Sequence, residues 1–176
     1  LEEKAELPAI YEGFGKQYKA LDTWSAYLIT SWEETEKYVG TYFNQTCKRI
    51  PLRDLEPYYA GNPWSRILQS KKVLVIHPFS ETIKKQYEKK EYLFQNKNVL
   101  PEFSLKTIKA VQSIAGTKTE YNSWFDALEA MKKQIDAADF DIAIIGCGAY
   151  GMPLAAYCKQ IGKKAVHLGG ATQLLF

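Results

Sequence analysis

Three glycines, Gly146, Gly148 and Gly151, form the pattern G-x-G-x-x-G in the last third of a 176-residue chain. An apolar run, Ile142 to Ile145, precedes them, and a helix-like segment from Pro153 to Gln160 follows. In such a turn the first glycine allows a sharp change of direction and the second lets a ligand approach the backbone. The free N–H groups at the start of the helix then attract a phosphate. The pattern therefore predicts a strand, a glycine turn and a helix that together bind a phosphorylated ligand.

The same turn lacks one part of a dinucleotide site. An NAD site needs an acidic residue about 20 residues further on, at the end of the next strand. That place holds His167-Leu168-Gly169-Gly170. Two interpretations stay open: a more general nucleotide or phosphate crevice, and glycines that only allow close packing of a helix on a strand.

Further strand and helix patterns alternate along the chain. Apolar or alternating runs predict strands at Trp24–Ile29, Cys47–Leu52, Lys72–Ile76, Phe103–Val111 and Ala165–Leu168. Lys72–Ile76 is almost wholly apolar and β-branched, which favours a central strand covered on both faces, and Phe103–Val111 is typical of an edge strand.

Helices are predicted between these strands. One is expected from Glu81 to about Leu93, with Ser80 as its N-cap. Another is expected from Trp124 to about Ala138, with Ser123 as its N-cap and a core-facing stripe that comprises Phe125, Leu128, Met131 and Ile135.

This alternation predicts an α/β fold, a mostly parallel Rossmann-like sheet with helices on both faces. We expect residues 1–176 to form a single domain, and the abrupt ends of the sequence indicate a fragment of a longer chain.

Ligands of such folds bind outside the carboxyl ends of the strands. Several residues with useful chemistry are predicted at those ends. His77 and His167 are candidate catalytic groups, and the candidate ligand-binding residues are Ser80, Gly146, Gly148, Tyr150, Gly151, Gly169 and Gly170.

Asp54-x-Glu56 is a carboxylate pair that could hold Mn²⁺ or Mg²⁺ against a diphosphate, because these ions prefer carboxylate and phosphate oxygens. The simpler interpretation is a loop in which a carboxylate pairs with Arg53 or caps a turn. A second pair, Asp139-x-Asp141, precedes its strand and is therefore predicted at the opposite edge of the sheet.

Composition narrows the classes of function. A net charge of +3 is too small to indicate nucleic-acid binding. The sequence shows no apolar run long enough to span a membrane, and we expect a cytoplasmic protein. Cys47, Cys147 and Cys158 are unclustered, so neither a disulfide framework nor a zinc site is indicated.

The segments KKVLVIHPF and AVHLGGATQLLF, joined by TIKAVQSIAG and DIAIIGCGAYGMPLA, carry a resemblance to known proteins. Over Lys71 to Phe176 the chain resembles proteins of bacterial surface-polysaccharide gene clusters that are related to glycosyltransferases of the GT-D fold. The resemblance implies transfer of a sugar from a nucleotide-sugar donor to a saccharide acceptor, with a divalent ion on the diphosphate. The D-x-E motif of that family lies in a glycine-rich setting near its N-terminus, and Asp54-Leu55-Glu56 matches its spacing without that setting.

The leading hypothesis is a glycosyltransferase-like protein of surface-polysaccharide synthesis, with Tyr150 near the base or sugar and His77 or His167 polarising a phosphate or the acceptor hydroxyl. An NAD(P)-dependent oxidoreductase and a non-catalytic Rossmann-like binding domain are the alternatives. The sequence does not decide the oligomeric state.

Overall fold

A computed structural model describes Tyr27–Thr30, residues 48–112 and residues 118–176, with the backbone alone for 27–30 and 48–52. By its internal contacts the chain divides into two units, Leu1–Leu55 and Glu56–Phe176.

In the first unit, strands β1 (Tyr27–Thr30) and β2 (Lys48–Pro51) form a parallel pair in which Tyr27 lies opposite Lys48. A short helix, α1 (Leu52–Leu55), follows β2 directly. Both strands fall within or beside the predicted runs, and residues 24–26 of the first run lie outside the described residues.

The second unit is built on a sheet of four parallel strands. These are β3 (Lys72–His77), β4 (Ser104–Lys109), β5 (Ile142–Ile145) and β6 (Lys164–His167), in the spatial order β4-β3-β5-β6. The helices of this unit are α2 (Ser80–Tyr87), α3 (Lys90–Leu93), α4 (Trp124–Asp136), α5 (Gly151–Gln160) and α6 (Thr172–Leu175). The prediction of a parallel α/β sheet is confirmed, with β3 central and β4 at an edge.

The two faces of the sheet are covered by different helices. Leu74 and Ile76 of β3 share one core with Met131 and Ile135 of α4 and with α5, through Leu154. Because side chains alternate along a strand, Val73 and Val75 project from the other face, where they are also buried. Helix α2 contacts β3 and β4 and covers that face.

Tyr87 connects α2 to the start of β4. Its buried hydroxyl donates to the carbonyl oxygens of Pro101 and Phe103 and accepts from the Phe103 amide at 2.7 Å. Its ring stacks on that of Phe103 at 4.4 Å. Since an unpaired buried hydroxyl is costly, these contacts fix the end of α2.

The predicted helix from Glu81 to Leu93 is wrong as a single element, because it divides into α2 and α3. The buried residues of α2 are Ser80, Ile83 and Tyr87, which lie on one side of the helix. The next positions on that side hold Lys90 and Glu91. With no apolar side chain to continue the buried face, the helix ends after two turns.

Two local expectations about helix positions need correction. Phe125 does not face the core: its side chain is 70% exposed, and Ala127 is buried in the first turn of α4 instead. Ser80 is not an N-cap but the first residue of α2, where Phe79 holds the cap position. The N-cap at Ser123 is confirmed, since its hydroxyl oxygen accepts from the Asp126 amide at 3.1 Å.

Within the part of the chain that the structure describes, no helix combines the length and the apolar character needed to cross a bilayer.

Candidate functional site

The strand order reverses between β3 and β5, and open parallel sheets form their ligand crevice at the carboxyl ends of two such strands. From β3 the chain passes through α2 to β4 on one side, and from β5 it passes through α5 to β6 on the other side. Helices α2 and α5 also cover opposite faces of the sheet, so the loops that lead to them separate above the strand ends. This is the topological switch point at which open parallel sheets bind ligands.

Gly146 forms the floor of this crevice. Its amide extends the sheet by donating to the carbonyl oxygen of Ile76 at 2.9 Å. A Cβ at this position would lie 2.4 Å from Thr172 Oγ1, 2.7 Å from the Gly169 carbonyl oxygen and 2.8 Å from His77 Cδ2. Glycine is therefore required here by the protein's own atoms, which come from the end of β3 and from the segment after β6.

Thr172 begins α6, and its hydroxyl oxygen lies buried beside Gly146. The residue is completely buried (0% exposed), and among the described residues no group pairs with its hydroxyl oxygen. Buried hydroxyls without a partner are uncommon, because no hydrogen bond compensates for the free energy lost when the hydroxyl leaves water. The unpaired oxygen beside Gly146 is thus a point at which a ligand or water atom would be stabilised.

His77 ends β3 and is 2% exposed. Its Nδ1 accepts a hydrogen bond from the Phe79 amide at 3.0 Å. Burial lowers the pKa of His77 from the ordinary 6.5, so the imidazole is neutral at pH 7. Because Nδ1 is the acceptor, the proton is assigned to Nε2, which makes the side chain a hydrogen-bond donor at that atom.

His167 ends β6 but lies on the other face of the sheet from His77. His167 pairs in register with Ile145 of β5, and Ile145 pairs with Ile76 of β3, so these residues project toward the core that α5 covers. His77 follows Ile76 directly and therefore projects from the opposite face. A Cβ at Gly151 would lie 2.1 Å from His167 Nε2, so the ring packs directly under the first turn of α5. That nitrogen is buried with no partner among the described residues, and burial lowers the pKa of His167.

Gly148 is the exposed glycine of the fingerprint. Its φ of +57° lies in the left-handed region that favours glycine, and a Cβ there would meet nothing within 4 Å. A short 3₁₀ turn, Gly148–Tyr150, leads from it into α5, whose first turn holds no acidic residue. The open backbone at Gly148 therefore lies three residues before the start of α5, the positive end of that helix.

Tyr150 and Cys147 lie within the glycine turn, and both are buried. The ring of Tyr150 stacks on Trp124 at 5.0 Å with nearly parallel planes. Burial raises the pKa of Cys147 to about 12, which keeps its thiol protonated and makes it a poor nucleophile.

The remaining predicted ligand-binding residues lie at the same edge of the sheet. Ser80 is buried at the start of α2, after β3. Gly169 and Gly170 belong to a 3₁₀ turn after β6, and the carbonyl oxygen of Gly169 approaches Gly146.

The predicted metal pair does not extend into a larger cluster. Asp54 is exposed on α1, and Glu56 is half-buried at the start of a 3₁₀ turn, where burial and the Glu56 carboxylate raise the pKa of Tyr58 to about 12. Across Tyr27–Thr30, 48–112 and 118–176 there is no group of three His, Cys, Asp or Glu that could hold a metal ion. The metal site at Asp54 and Glu56 stays a prediction.

Asp139 and Asp141 have a structural role at the opposite edge. The Lys72 ammonium pairs with Asp139 at 2.6 Å, and the Lys72 amide donates to the Asp141 carboxylate at 2.9 Å. Both carboxylates thus connect the start of β3 to the start of β5, as their position before a strand predicts.

Sequence reasoning did not single out Phe79, which follows the switch-point strand and lies beside His77. It also did not predict that Thr172 contacts Gly146. The first had a signal in the sequence, an aromatic residue two positions after a strand end. The second had none, because residues 146 and 172 meet only through the packing of two strand ends.

A parallel sheet with a crevice at its switch point defines a Rossmann-like α/β domain. A family model described as the GT-D fold-like domain matches residues 31–175, and the chain belongs to this family. No curated protein and no solved structure matches the chain significantly.

Proposed function

We propose that this domain is a glycosyltransferase-like protein of surface-polysaccharide biosynthesis that binds a nucleotide-sugar in the crevice between the ends of β3 and β5. The observation that carries the proposal is the convergence of His77, Gly146 and Thr172 at the switch point of a GT-D fold-like domain. Membership of the family supports a glycosyltransferase-like fold. The saccharide acceptor and the polysaccharide pathway rest on the sequence resemblance alone.

The donor diphosphate would lie over the exposed backbone of Gly148, at the start of α5. Free N–H groups and the helix dipole favour an anion there, and the first turn of α5 places no carboxylate against it. The hydroxyl of Thr172 is buried and unpaired beside Gly146, so a polar atom that reached it would gain a hydrogen bond.

His77 would act as a hydrogen-bond donor rather than as a base. Its Nδ1 is already occupied by the Phe79 amide, and the neutral ring therefore offers Nε2–H. Such a donor stabilises negative charge on a phosphate oxygen, including the charge that develops when the sugar leaves the diphosphate. His167 packs under Gly151 on the other face, so its expected contribution is to hold the start of α5 in place.

A non-catalytic binding domain is the second candidate, because one observation favours it. Cβ atoms at Gly146 and Gly151 would meet the protein's own side chains, so close packing already accounts for two of the three fingerprint glycines. An NAD(P) oxidoreductase ranks below both, since β6 ends in His167 and is followed by Leu168 and a glycine pair instead of an acid.

A divalent ion would bind the donor diphosphate, as the family resemblance implies. Asp54 and Glu56 provide two carboxylates, and Mg²⁺ often binds one or two carboxylates together with substrate phosphates.

A thermal-shift panel of nucleotide-sugars, with and without Mn²⁺ and beside NAD and NADP, tests the proposal. Stabilisation by a nucleotide-sugar, reduced in His77→Asn, supports it, since a ligand that binds the folded state alone raises the melting temperature. Ser123→Ala is a matched control: it removes the α4 N-cap without touching the crevice and should lower the melting temperature while leaving the ligand-induced shift intact. Response to no nucleotide would favour the non-catalytic alternative.

A further inference from the structure

Phe79 is an exposed aromatic residue at the rim of the crevice. It follows β3 by two residues and is 49% exposed, whereas His77 at the strand end is 2% exposed. The two rings are in contact, with centroids 5.4 Å apart and planes tilted by 54°. One side of the Phe79 ring is therefore supported by a buried side chain, and the rest is open to solvent.

The backbone on both sides of this ring is held in place. The Phe79 amide donates to His77 Nδ1 at 3.0 Å, and its carbonyl oxygen accepts from the Ile83 amide at 3.0 Å in the first turn of α2. A ring held in this way loses little conformational freedom when a ligand packs on it. About half of the ring surface therefore stays open next to the ends of β3 and β5, where open parallel sheets bind their ligands.

The position of Phe79 relative to the glycine turn defines what it could contact. Phe79 lies on the β3 loop, and Gly148 lies on the β5 loop across the switch point. A nucleotide whose diphosphate lies at Gly148 would extend its nucleoside toward the neighbouring loop, as mononucleotides do across such crevices. Nucleobases are flat, and each of them can stack on an aromatic ring, whichever base it is.

We infer that Phe79 is the stacking platform for the nucleobase of the bound nucleotide. This inference rests on the proposed function and adds to it the residue that recognises the base. Tyr150, which sequence analysis placed near the base or sugar, is less suited to that role because its ring is buried against Trp124.

Calorimetric titration of the 176-residue chain with UDP, GDP, ADP and inorganic pyrophosphate tests the inference. These probes separate the base from the diphosphate and omit the sugar. Phe79→Ala should weaken binding of the nucleoside diphosphates roughly tenfold to a hundredfold, the range expected for loss of one stacked base. Phe79→Tyr should retain it, and the pyrophosphate affinity should stay unchanged.

Tyr92→Ala is the matched control, because Tyr92 is a 90% exposed aromatic on α3, away from the strand ends. Phe79→Leu keeps an apolar side chain at the same place and separates stacking from general packing. Melting curves without ligand verify that each variant folds.

The outcomes are separable. If the wild type binds UDP, GDP or ADP and Phe79→Ala binds it equally well, the inference is wrong and the proposed function survives. Equal weakening of nucleotide and pyrophosphate would also overturn the inference, since Phe79 would then act on the phosphate site. If the wild type binds none of the nucleotides, the proposed function fails and the inference fails with it.

Discussion

The hydroxyl oxygen of Thr172 lies 2.4 Å from the place that a Cβ of residue 146 would occupy, so Thr172 and Gly146 adjoin at the floor of the crevice. The Gly169 carbonyl oxygen and His77 Cδ2 close the same space at 2.7 Å and 2.8 Å. One added methyl group would therefore push apart the ends of β3, β5 and β6.

Gly146→Ala should lower the free energy of unfolding by about 1–3 kcal/mol or more, the usual cost of an overpacked core. Urea denaturation measures the change. Gly170→Ala is the matched control, because a Cβ at Gly170 meets nothing within 4 Å and its φ is not positive. Equal stability of the two variants would contradict the packing described here.

A double-mutant cycle tests the contact between Gly151 and His167. Gly151→Ala alone should destabilise the fold, because the new Cβ would lie 2.1 Å from His167 Nε2. In a His167→Ala background the same substitution should be neutral or stabilising, since alanine favours helix more than glycine does. We expect a coupling energy of about 1–3 kcal/mol by chemical denaturation. Additive effects would show that the two residues do not touch.

Stability should decrease as the pH falls below the ordinary histidine value. Burial lowers the pKa of both His77 and His167 from 6.5, so below that pH the unfolded chain binds protons that the folded chain does not. The free energy of unfolding is therefore at its full value above pH 6.5 and is lost as the pH falls toward the lowered folded values. Protonation of His77 Nδ1 would also break its bond with the Phe79 amide.

Urea titrations between about pH 7.5 and pH 5, the range in which histidines titrate, measure this dependence. His77→Gln and His167→Gln should each flatten the curve in part. A wild-type curve that stays flat over this range, or rises as the pH falls, would mean that the two histidines are not buried in the neutral form.

Cys147 should be inert although it lies inside the glycine turn. Burial raises the pKa of Cys147 and of Cys158 to about 12, which leaves almost no thiolate near neutral pH. In a Cys47→Ser background, a thiol reagent at about pH 8 should react slowly with the native protein and rapidly after denaturation. Cys147→Ala should preserve nucleotide binding. Rapid labelling in the native state would restore Cys147 as a candidate nucleophile.

Much of the fold followed from local patterns in the sequence. The apolar runs at Lys72–Ile76 and Ile142–Ile145 predicted β3 and β5. The first was also predicted to be central, because a strand buried on both faces has no polar alternation. Ser123 identified the start of α4, since a capping hydroxyl acts within a few residues of its position. Phe125 was assigned to the wrong side because the first turn of a helix can expose an apolar residue when Ala127 fills the core instead.

The site was less predictable because its geometry depends on strand order. His77 and His167 both end strands, and the sequence placed them in one crevice. Register assigns them to opposite faces of the sheet, which no local pattern encodes. Likewise, the fingerprint shows where glycines occur, but contacts with Thr172 and His167 determine which of them are required for packing.

Backbone amide NMR of the 15N-labelled chain, titrated with UDP-glucose, tests the central claim most directly because it locates the ligand on the fold. We predict shifts concentrated at the strand ends, around His77 to Ser80, Gly146 to Gly151 and Gly169 to Thr172. The amides of Lys72 and Asp141 at the opposite edge should stay unchanged. Shifts centred on that opposite edge, or no shifts with any nucleotide-sugar, would contradict a nucleotide-sugar site at the switch point.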